Sequence, residues 1–231
     1  MNRPVTTLFM LESLDGKIST GCNDSLDVDK DFSRIDGVKE GLNQYYELES
    51  KTDLFSLNTG RVMAKIGVNE KKDYVEKIDV TFIIIDNKPH LNSNGIDYLC
   101  HWVKKLILVT TNKNHCAYNL LSKYENLDIL YSDNLDLSKI LESLYIDYGV
   151  DKLTIQSGGN MNGLFIRNDL IDYLNIVIAP IVIGGSDVST LVDGESIKND
   201  SELKLVRTLE LLECNKLNNS YIQLKYKVNR S

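Results

Sequence analysis

The chain has 231 residues, a length that fits one large domain or two small ones and can bury a substantial core. Its composition, 42% hydrophobic and 26% charged with three prolines and no low-complexity tract, is that of a single folded globular domain over 1–231. The formal charge of −7 argues against a general nucleic-acid or membrane-surface role, which needs clustered excess Lys and Arg, so an anionic ligand would require a local cationic patch.

The first predicted element is a buried-type strand, Val5 to Leu11, that runs straight into Ser13, Leu14, Asp15, Gly16 and Lys17. A hydroxyl, a carboxylate, a glycine and a lysine at a strand end make a compact polar cluster, and in α/β proteins ligands sit in the loops after the strands. Asp-Gly is equally a turn signal in any fold. Thr20 to Asp36 is polar and reads as a solvated loop or flap; its alternating Asp27, Asp29 and Asp31 lack the glycine and distal glutamate of a calcium loop. Arg34, the only arginine between Arg3 and Arg61, is a candidate phosphate anchor or a plain surface charge. Val38 to Lys51 has the apolar spacing of an amphipathic helix.

Asp53 to Leu57 is a short strand, and the small-residue turn behind it, Asn58, Thr59, Gly60 and Arg61, opens a helix. Arg61 there would meet a pyrophosphate or lie on the surface. Val80 to Asp86 is nearly continuous apolar and β-branched, the pattern of a strand buried on both faces of a parallel sheet. Ile96 to Val103 reads as a helix and Leu106 to Thr110 as another buried strand. Thr110, Thr111, Asn112 and Lys113 at its end offer hydroxyls and a lysine to a nucleotide's ribose or phosphate, or else cap a helix running to about Lys123. Leu127 to Tyr131 is a strand and Leu137 to Tyr148 a helix.

Next comes the stretch Lys152 to Gly163, a strand over Leu153 to Gln156 that leads through Ser157 into Gly158 and Gly159, then Asn160 and a helix from Met161 to Arg167. Paired glycines bring backbone N–H groups close to a ligand, and a helix N-terminus adds partial positive charge suited to phosphate. The same pair also makes an ordinary tight connection. To this point strands and helices alternate, which demands a mostly parallel sheet with helices on both faces. After Asp169 the pattern changes: Leu170 to Ala179 is one long strand, Ile181 to Gly185 follows Pro180, and Leu203 to Cys214 with Tyr221 to Val228 read as a terminal antiparallel hairpin. The fold class is therefore α/β with a mixed sheet and an antiparallel edge.

The cysteines Cys22, Cys100, Cys116 and Cys214 form no CxxC pair and the histidines between His90 and His115 lack metal-ligand spacing, so no metal is expected. His101 beside Cys100 comes closest and reads as structural. Glu12 and Asp15 break the apolar N-terminal run and no segment approaches the roughly 20 apolar residues of a membrane span, so a cytoplasmic protein with reduced thiols is expected.

With these motifs in order, the chain resembles the dihydrofolate-reductase-like pyrimidine reductases of riboflavin biosynthesis, the reductase domain of the bifunctional deaminase/reductase. The resemblance rests on SLDGKI after the first strand, the turn after the second, SGG with MNG behind it, LIDYLNIVIAPIVIGG and the C-terminal hairpin, and it spans almost the whole chain. It implies a three-layer α/β/α fold, commonly a homodimer, and NADPH-dependent reduction of the ribosyl side chain of a ribosylaminopyrimidine 5′-phosphate, in its diamino-pyrimidinone or amino-uracil form, to ribityl.

Carried over motif by motif, the resemblance implies that Ser13 to Lys17 face substrate and nicotinamide and that Asn58, Thr59, Gly60 and Arg61 form the cofactor turn. Gly158 and Gly159, joined by a cis bond in related reductases, would lie against the pyrophosphate with Asn160 and Met161 behind them. Thr110, Thr111 and Lys113 would meet the adenosine end. Lys17 is the expected proton-handling residue, with Asp15 orienting it or the sugar hydroxyls, and Arg34 the candidate for the substrate phosphate. Gln156 and Ser157 stand at the substrate where family members often carry a glutamate, and Arg61 stands where many carry threonine. Neither HxE nor PCxxC of the fused deaminase's zinc site occurs, so a stand-alone reductase is expected. Two further readings use the same residues: a related reductase of another small carbonyl, imine or pterin, and a non-catalytic NADPH-binding regulatory module, against which the intact Ser13, Asp15 and Lys17 argue.

Overall fold

The computed structural model describes residues 2–230. In chain order its elements are Val5–Ser13 (β1), Val28–Asp31 (α1), Asn43–Glu49 (α2), Phe55–Thr59 (β2), Gly60–Lys65 (α3), Ile78–Ile85 (β3), Ser93–Trp102 (α4) and Val103–Thr110 (β4). They continue with Leu127–Tyr131 (β5), Leu137–Tyr148 (α5), Lys152–Ile155 (β6), Gly159–Arg167 (α6), Tyr173–Ala179 (β7), Leu209–Lys216 (β8) and Ile222–Val228 (β9). The chain divides into two compact units, residues 53–157 with 2–4, and residues 5–52 with 158–230. Among the described residues no helix is long and apolar enough to cross a membrane.

The first unit is built on parallel strands in the order β5-β4-β3-β2-β6. Its central strands are apolar on both sides because both sides are covered. Phe82, Ile84, Leu106 and Leu108 pack with Ile96, Leu99 and Val103 in one cluster, while Ile83, Ile85, Ile107 and Val109 on the opposite face are buried as well. Helix α4 starts where Asn92 accepts from the Gly95 N–H, three residues before the predicted Ile96. Asp136 caps α5 through Ser138 and Lys139 N–H, and Gly149 ends it at φ 65°, a left-handed position that costs glycine little. The helix expected to reach Lys123 is only a 3-10 segment, Cys116–Leu120. The His115 ring holds this segment by accepting from Ala117 N–H at 3.2 Å, in place of a continuing i to i−4 ladder.

In the second unit β1 runs parallel to β7, β7 antiparallel to β9, and β8 and β9 form the terminal hairpin, so the expected antiparallel edge is present. Phe9, Leu11, Val177 and Ala179 share one core with Val28, Phe32, Val38, Leu42, Tyr45 and Tyr221, and the Phe9 and Tyr45 rings stack at 5.1 Å. The segment 20–36 is thus not the solvated loop its polarity predicts. It carries α1, capped by Asp27, and a 3-10 turn at Phe32–Arg34, and it buries Val28 and Phe32. Each such side chain contributes about 1.5–3 kcal/mol when fully buried, enough to fold an otherwise polar stretch.

The long helix predicted from Val38 shrinks to α2. Gly41 packs so closely under Tyr221 that a Cβ would lie 2.7 Å from its ring, and the Tyr221 hydroxyl donates to Val38 O at 2.8 Å, fixing residues 38–42 as turns. Strand β7 starts at Tyr173 instead of Leu170, because Asp169 turns the chain at φ 57°. Strand β8 starts at Leu209, after a 3-10 segment over Asp200–Leu205, and all of its residues are exposed.

Candidate active site

The polar cluster after β1 belongs to the second unit. The chain reverses through Gly16 at φ 75°, with Gly16 N–H donating to Ser13 O and Ser13 N–H to Lys17 O, both at 2.9 Å. Ser13 Oγ donates to Asp15 Oδ1 at 2.6 Å and accepts from Lys17 N–H at 2.9 Å. Asp15 also accepts from the N–H groups of Ile183 at 3.0 Å and Gly184 at 2.7 Å. The Ser13 hydroxyl first, and then the Ile183 N–H, hold its carboxyl down at about 2. Lys17 Nζ donates to Gly185 O at 2.8 Å and Val188 O at 3.0 Å, which uses two of the ammonium's three N–H groups. Asp15 and Lys17 therefore both grip the segment 183–188, and neither grips the other. The Arg34 side chain is 75% exposed and its guanidinium lies 3.8 Å from Asp31 Oδ1.

Immediately before the cluster, Glu12 has a buried Oε2 without a hydrogen-bond partner among the described residues, and burial pushes its carboxyl up to about 7. The native state therefore holds this proton more tightly than the unfolded chain does. The stability this contributes is complete below about pH 4.5 and is lost as pH rises through about 7. Glu12→Gln is expected to flatten that slope and to raise stability at pH 8 by roughly 2–3 kcal/mol, read from denaturant midpoints at pH 5 and pH 8. Equal slopes in both proteins would refute the assignment.

The glycine pair opens α6. Gly158 is the extended cap residue, φ −73° and ψ 158°, and its carbonyl accepts from Met161 and Asn162 N–H at 2.9 and 3.0 Å. The cis bond implied by the resemblance is absent: no peptide among the described residues is cis, and an extended cap entering a regular helix needs none. The two glycines have different reasons to be glycine. A Cβ on Gly159 would lie 2.3 Å from Asp193 Oδ2 and 2.4 Å from Thr190 O, whereas a Cβ on Gly158 would meet nothing within 4 Å. Packing dictates the second glycine, and the first leaves an open approach to the backbone. Asn160 beyond them is exposed and Met161 partly buried, while Asn162 donates to Leu191 O at 2.8 Å and so holds the same 190–193 loop.

The cofactor-type turns belong to the first unit. Asn58 is buried, Thr59 caps α3 by accepting from Val62 N–H at 3.4 Å, and Arg61 is exposed. At the end of β4, Thr110 Oγ1 donates to Asp86 O at 2.9 Å, Thr111 N–H donates to Asn87 Oδ1 at 2.9 Å, and Lys113 lies 5.2 Å from the Tyr131 ring centre. Gln156 Oε1 accepts from Ser56 Oγ at 3.1 Å and Ser157 is buried.

The residue around which these turns gather, Asp86, is one that sequence reasoning missed. Burial alone would raise its carboxyl, but donation from the His115 ring and from His90 and Leu91 N–H outweighs this and holds it below the usual range. A carboxylate closing the apolar run VTFIIID was its one visible signal, and nothing in the sequence pairs it with His115. The segment 183–193 that Asp15, Lys17 and Asn162 hold was likewise not foreseen as part of the site.

In the first unit Arg61, Lys88 and Lys113 are exposed cations at the turns after β2, β3 and β4, suited to an anionic ligand. In the second unit the open backbone at Gly158 precedes a helix of nine residues.

The model of the RibD C-terminal domain family matches residues 4–222. The 2,5-diamino-6-ribosylamino-4(3H)-pyrimidinone 5′-phosphate reductase of Methanothermobacter thermautotrophicus is 26% identical over 224 residues, 91% of this chain and 95% of its own. The enzyme of the same name from Archaeoglobus fulgidus is 23% identical over 217 residues, 90% of this chain and 94% of its own. RibD of Acinetobacter baumannii shares the fold with a TM-score of 0.69 at 13% identity; the match covers 100% of this chain and spans only 59% of that protein. The Saccharomyces cerevisiae riboflavin biosynthesis reductase Rib7 shares it with a TM-score of 0.62 at 18% identity, over 99% of this chain and 91% of its own. On the match over 4–222, which takes in both the polar loop after β1 and the glycine pair, the chain belongs to the RibD C-terminal domain family.

Proposed function

We propose that this chain is an NADPH-dependent reductase that converts the ribosyl side chain of 2,5-diamino-6-ribosylamino-4(3H)-pyrimidinone 5′-phosphate to ribityl. The observation that carries this reading is the loop Ser13–Lys17, held in one conformation by six hydrogen bonds from or to Ser13, Asp15 and Lys17 side chains that reach the segment 183–188 or the loop itself. The names of the archaeal relatives support the aminated pyrimidine as substrate.

Opening of the aminosugar ring gives an imine at C1′, and its reduction takes up one hydride and one proton. A bound nicotinamide supplies the hydride. The Lys17 ammonium is the proton donor to the imine nitrogen, and Asp15 keeps the loop and residues 183 and 184 in register while this happens. Gln156 and Ser157 contact the substrate and Arg34 binds its phosphate. Asn58, Thr59, Gly60 and Arg61 form the cofactor turn, and Gly158 and Gly159, with Asn160 and Met161 behind them, lie against the pyrophosphate. Thr110, Thr111 and Lys113 receive the adenosine end, where Lys113 favours NADPH over NADH. The protein is cytoplasmic and a homodimer; the exposed Leu209, Leu211 and Leu212 on β8 support a second copy as the cover for that edge.

The test is the loss of NADPH absorbance when purified protein meets the diamino-pyrimidinone or the amino-uracil phosphate, with NADH in parallel. Oxidation of NADPH with the diamino compound, faster than with either alternative, is the expected result. Binding of NADPH without oxidation by either pyrimidine would overturn the substrate assignment and leave the cofactor assignment standing.

A further inference from the structure

We infer that Asp86, with His115 as its buried donor, is the positioning group of the cofactor site, fixing the turns after β2, β3 and β4 in one arrangement. The inference rests on the NADPH reading above. Both side chains are fully buried. Asp86 Oδ1 accepts from His90 N–H at 3.0 Å and faces His90 Nδ1 at 3.2 Å; Oδ2 accepts from Leu91 N–H at 2.9 Å and faces His115 Nε2 at 3.1 Å. His115 Nδ1 accepts from Ala117 N–H, so Nε2 carries the proton and donates to Asp86. The loop after β3 and the segment after β4 are thereby tied to one carboxylate.

The turn after β2 is tied to it by shape. A Cβ on Gly60 would lie 2.3 Å from Asp86 Cγ and 2.4 Å from Oδ1, so the first residue of α3 rests directly on the carboxylate. The backbone of the same residue completes the set, since Asp86 O takes the Thr110 hydroxyl and neighbouring Asn87 takes Thr111 N–H. Because both carboxylate oxygens are already supplied with donors, neither is available to a ribose hydroxyl. Asp86 therefore acts through the turns and not by contact with the ligand. An amide cannot replace it: an asparagine would turn one acceptor into an NH2 group facing N–H donors.

The test compares wild type, Asp86→Asn, His115→Gln and Gly60→Ala as full-length proteins. It reads the NADPH Kd by fluorescence titration, KM for NADPH and for the pyrimidine, kcat, and the thermal midpoint. The expected result is a weakening of NADPH binding by roughly 10- to 100-fold in Asp86→Asn and Gly60→Ala and about fivefold in His115→Gln, with KM for the pyrimidine and kcat at saturating NADPH within about twofold in Asp86→Asn and His115→Gln. A purely structural role would instead lower the midpoint and leave the NADPH Kd of the folded fraction within about twofold, which overturns the inference. If Asp86→Asn does not fold, His115→Gln decides, since it removes the buried donor, retains the carboxylate and touches no ligand. Wild type that binds neither NADPH nor NADH would overturn the cofactor reading and this inference together; wild-type binding with unchanged variants overturns this inference alone.

Discussion

Lys17→Ala is expected to lower kcat by about 10²- to 10³-fold while leaving the NADPH Kd within about twofold. The expectation follows from two properties of the side chain. It carries the one cationic group of the loop Ser13–Lys17, and its ammonium retains an N–H beyond the two donated to Gly185 O and Val188 O. Those two bonds also give Lys17 a structural share, about 1 kcal/mol each, which amounts to a few degrees in the thermal midpoint. Lys17→Arg separates the contributions. It can keep the carbonyl contacts, yet a guanidinium is a poor proton donor at neutral pH, so stability recovers and most of the kcat loss remains. If Lys17→Ala turned over within about threefold of wild type, the proton would come from elsewhere and the assignment would fall.

Gly159→Val and Gly158→Ala are expected to part in opposite directions. At Gly159 even the first added carbon overlaps Asp193 Oδ2 and Thr190 O, so the 190–193 loop must move, at a cost of about 1–3 kcal/mol and a correspondingly lower thermal midpoint. At Gly158 the added methyl meets no protein atom within 4 Å, and φ −73° with ψ 158° is open to any residue, so stability stays within about 0.5 kcal/mol. The same methyl occupies the space through which a pyrophosphate would approach the backbone, and NADPH affinity falls by about tenfold or more. Thermal unfolding and NADPH titration of the two variants check this. Loss of affinity in Gly159→Val alone, with Gly158→Ala unaffected, would show that ligand does not approach at the cap.

How much of this could be read in the residues depends on the range of the interactions. Val80–Asp86 and Leu106–Thr110 declared themselves because a strand buried on both faces must be apolar throughout, and the alternation near the C-terminus gave the hairpin for the same local reason. Segment 20–36 hid its structure because its anchors are few. Val28 and Phe32 sit four residues apart among acids, and the core they join includes Tyr221, far along the chain. The Val38 helix was misjudged for a similar cause, since Tyr221 reaches Val38 O across 183 residues.

In the site, Ser13, Asp15 and Lys17 were legible as a polar group at a strand end. What they hold was not, because residues 183–188 lie some 170 positions away, as the Lys17–Val188 separation of 171 shows. The glycine pair was legible as a pair; that Asp193 dictates one glycine and open space surrounds the other is a tertiary fact. Asp86 was visible only as the end of a strand, and its significance depends on His115, 29 residues on.

The central claim is hydride delivery to C1′ of the ribosyl side chain. Its most direct test incubates the protein with the diamino-pyrimidinone phosphate and NADPH deuterated at nicotinamide C4, using each of the two labelled stereoisomers in turn, and analyses the product by mass spectrometry and NMR. The expected result is a ribityl product with one deuterium at C1′ from one stereoisomer and none from the other, formed in step with NADP⁺. A protein that binds NADPH and yields no labelled ribityl product from either stereoisomer would contradict the account.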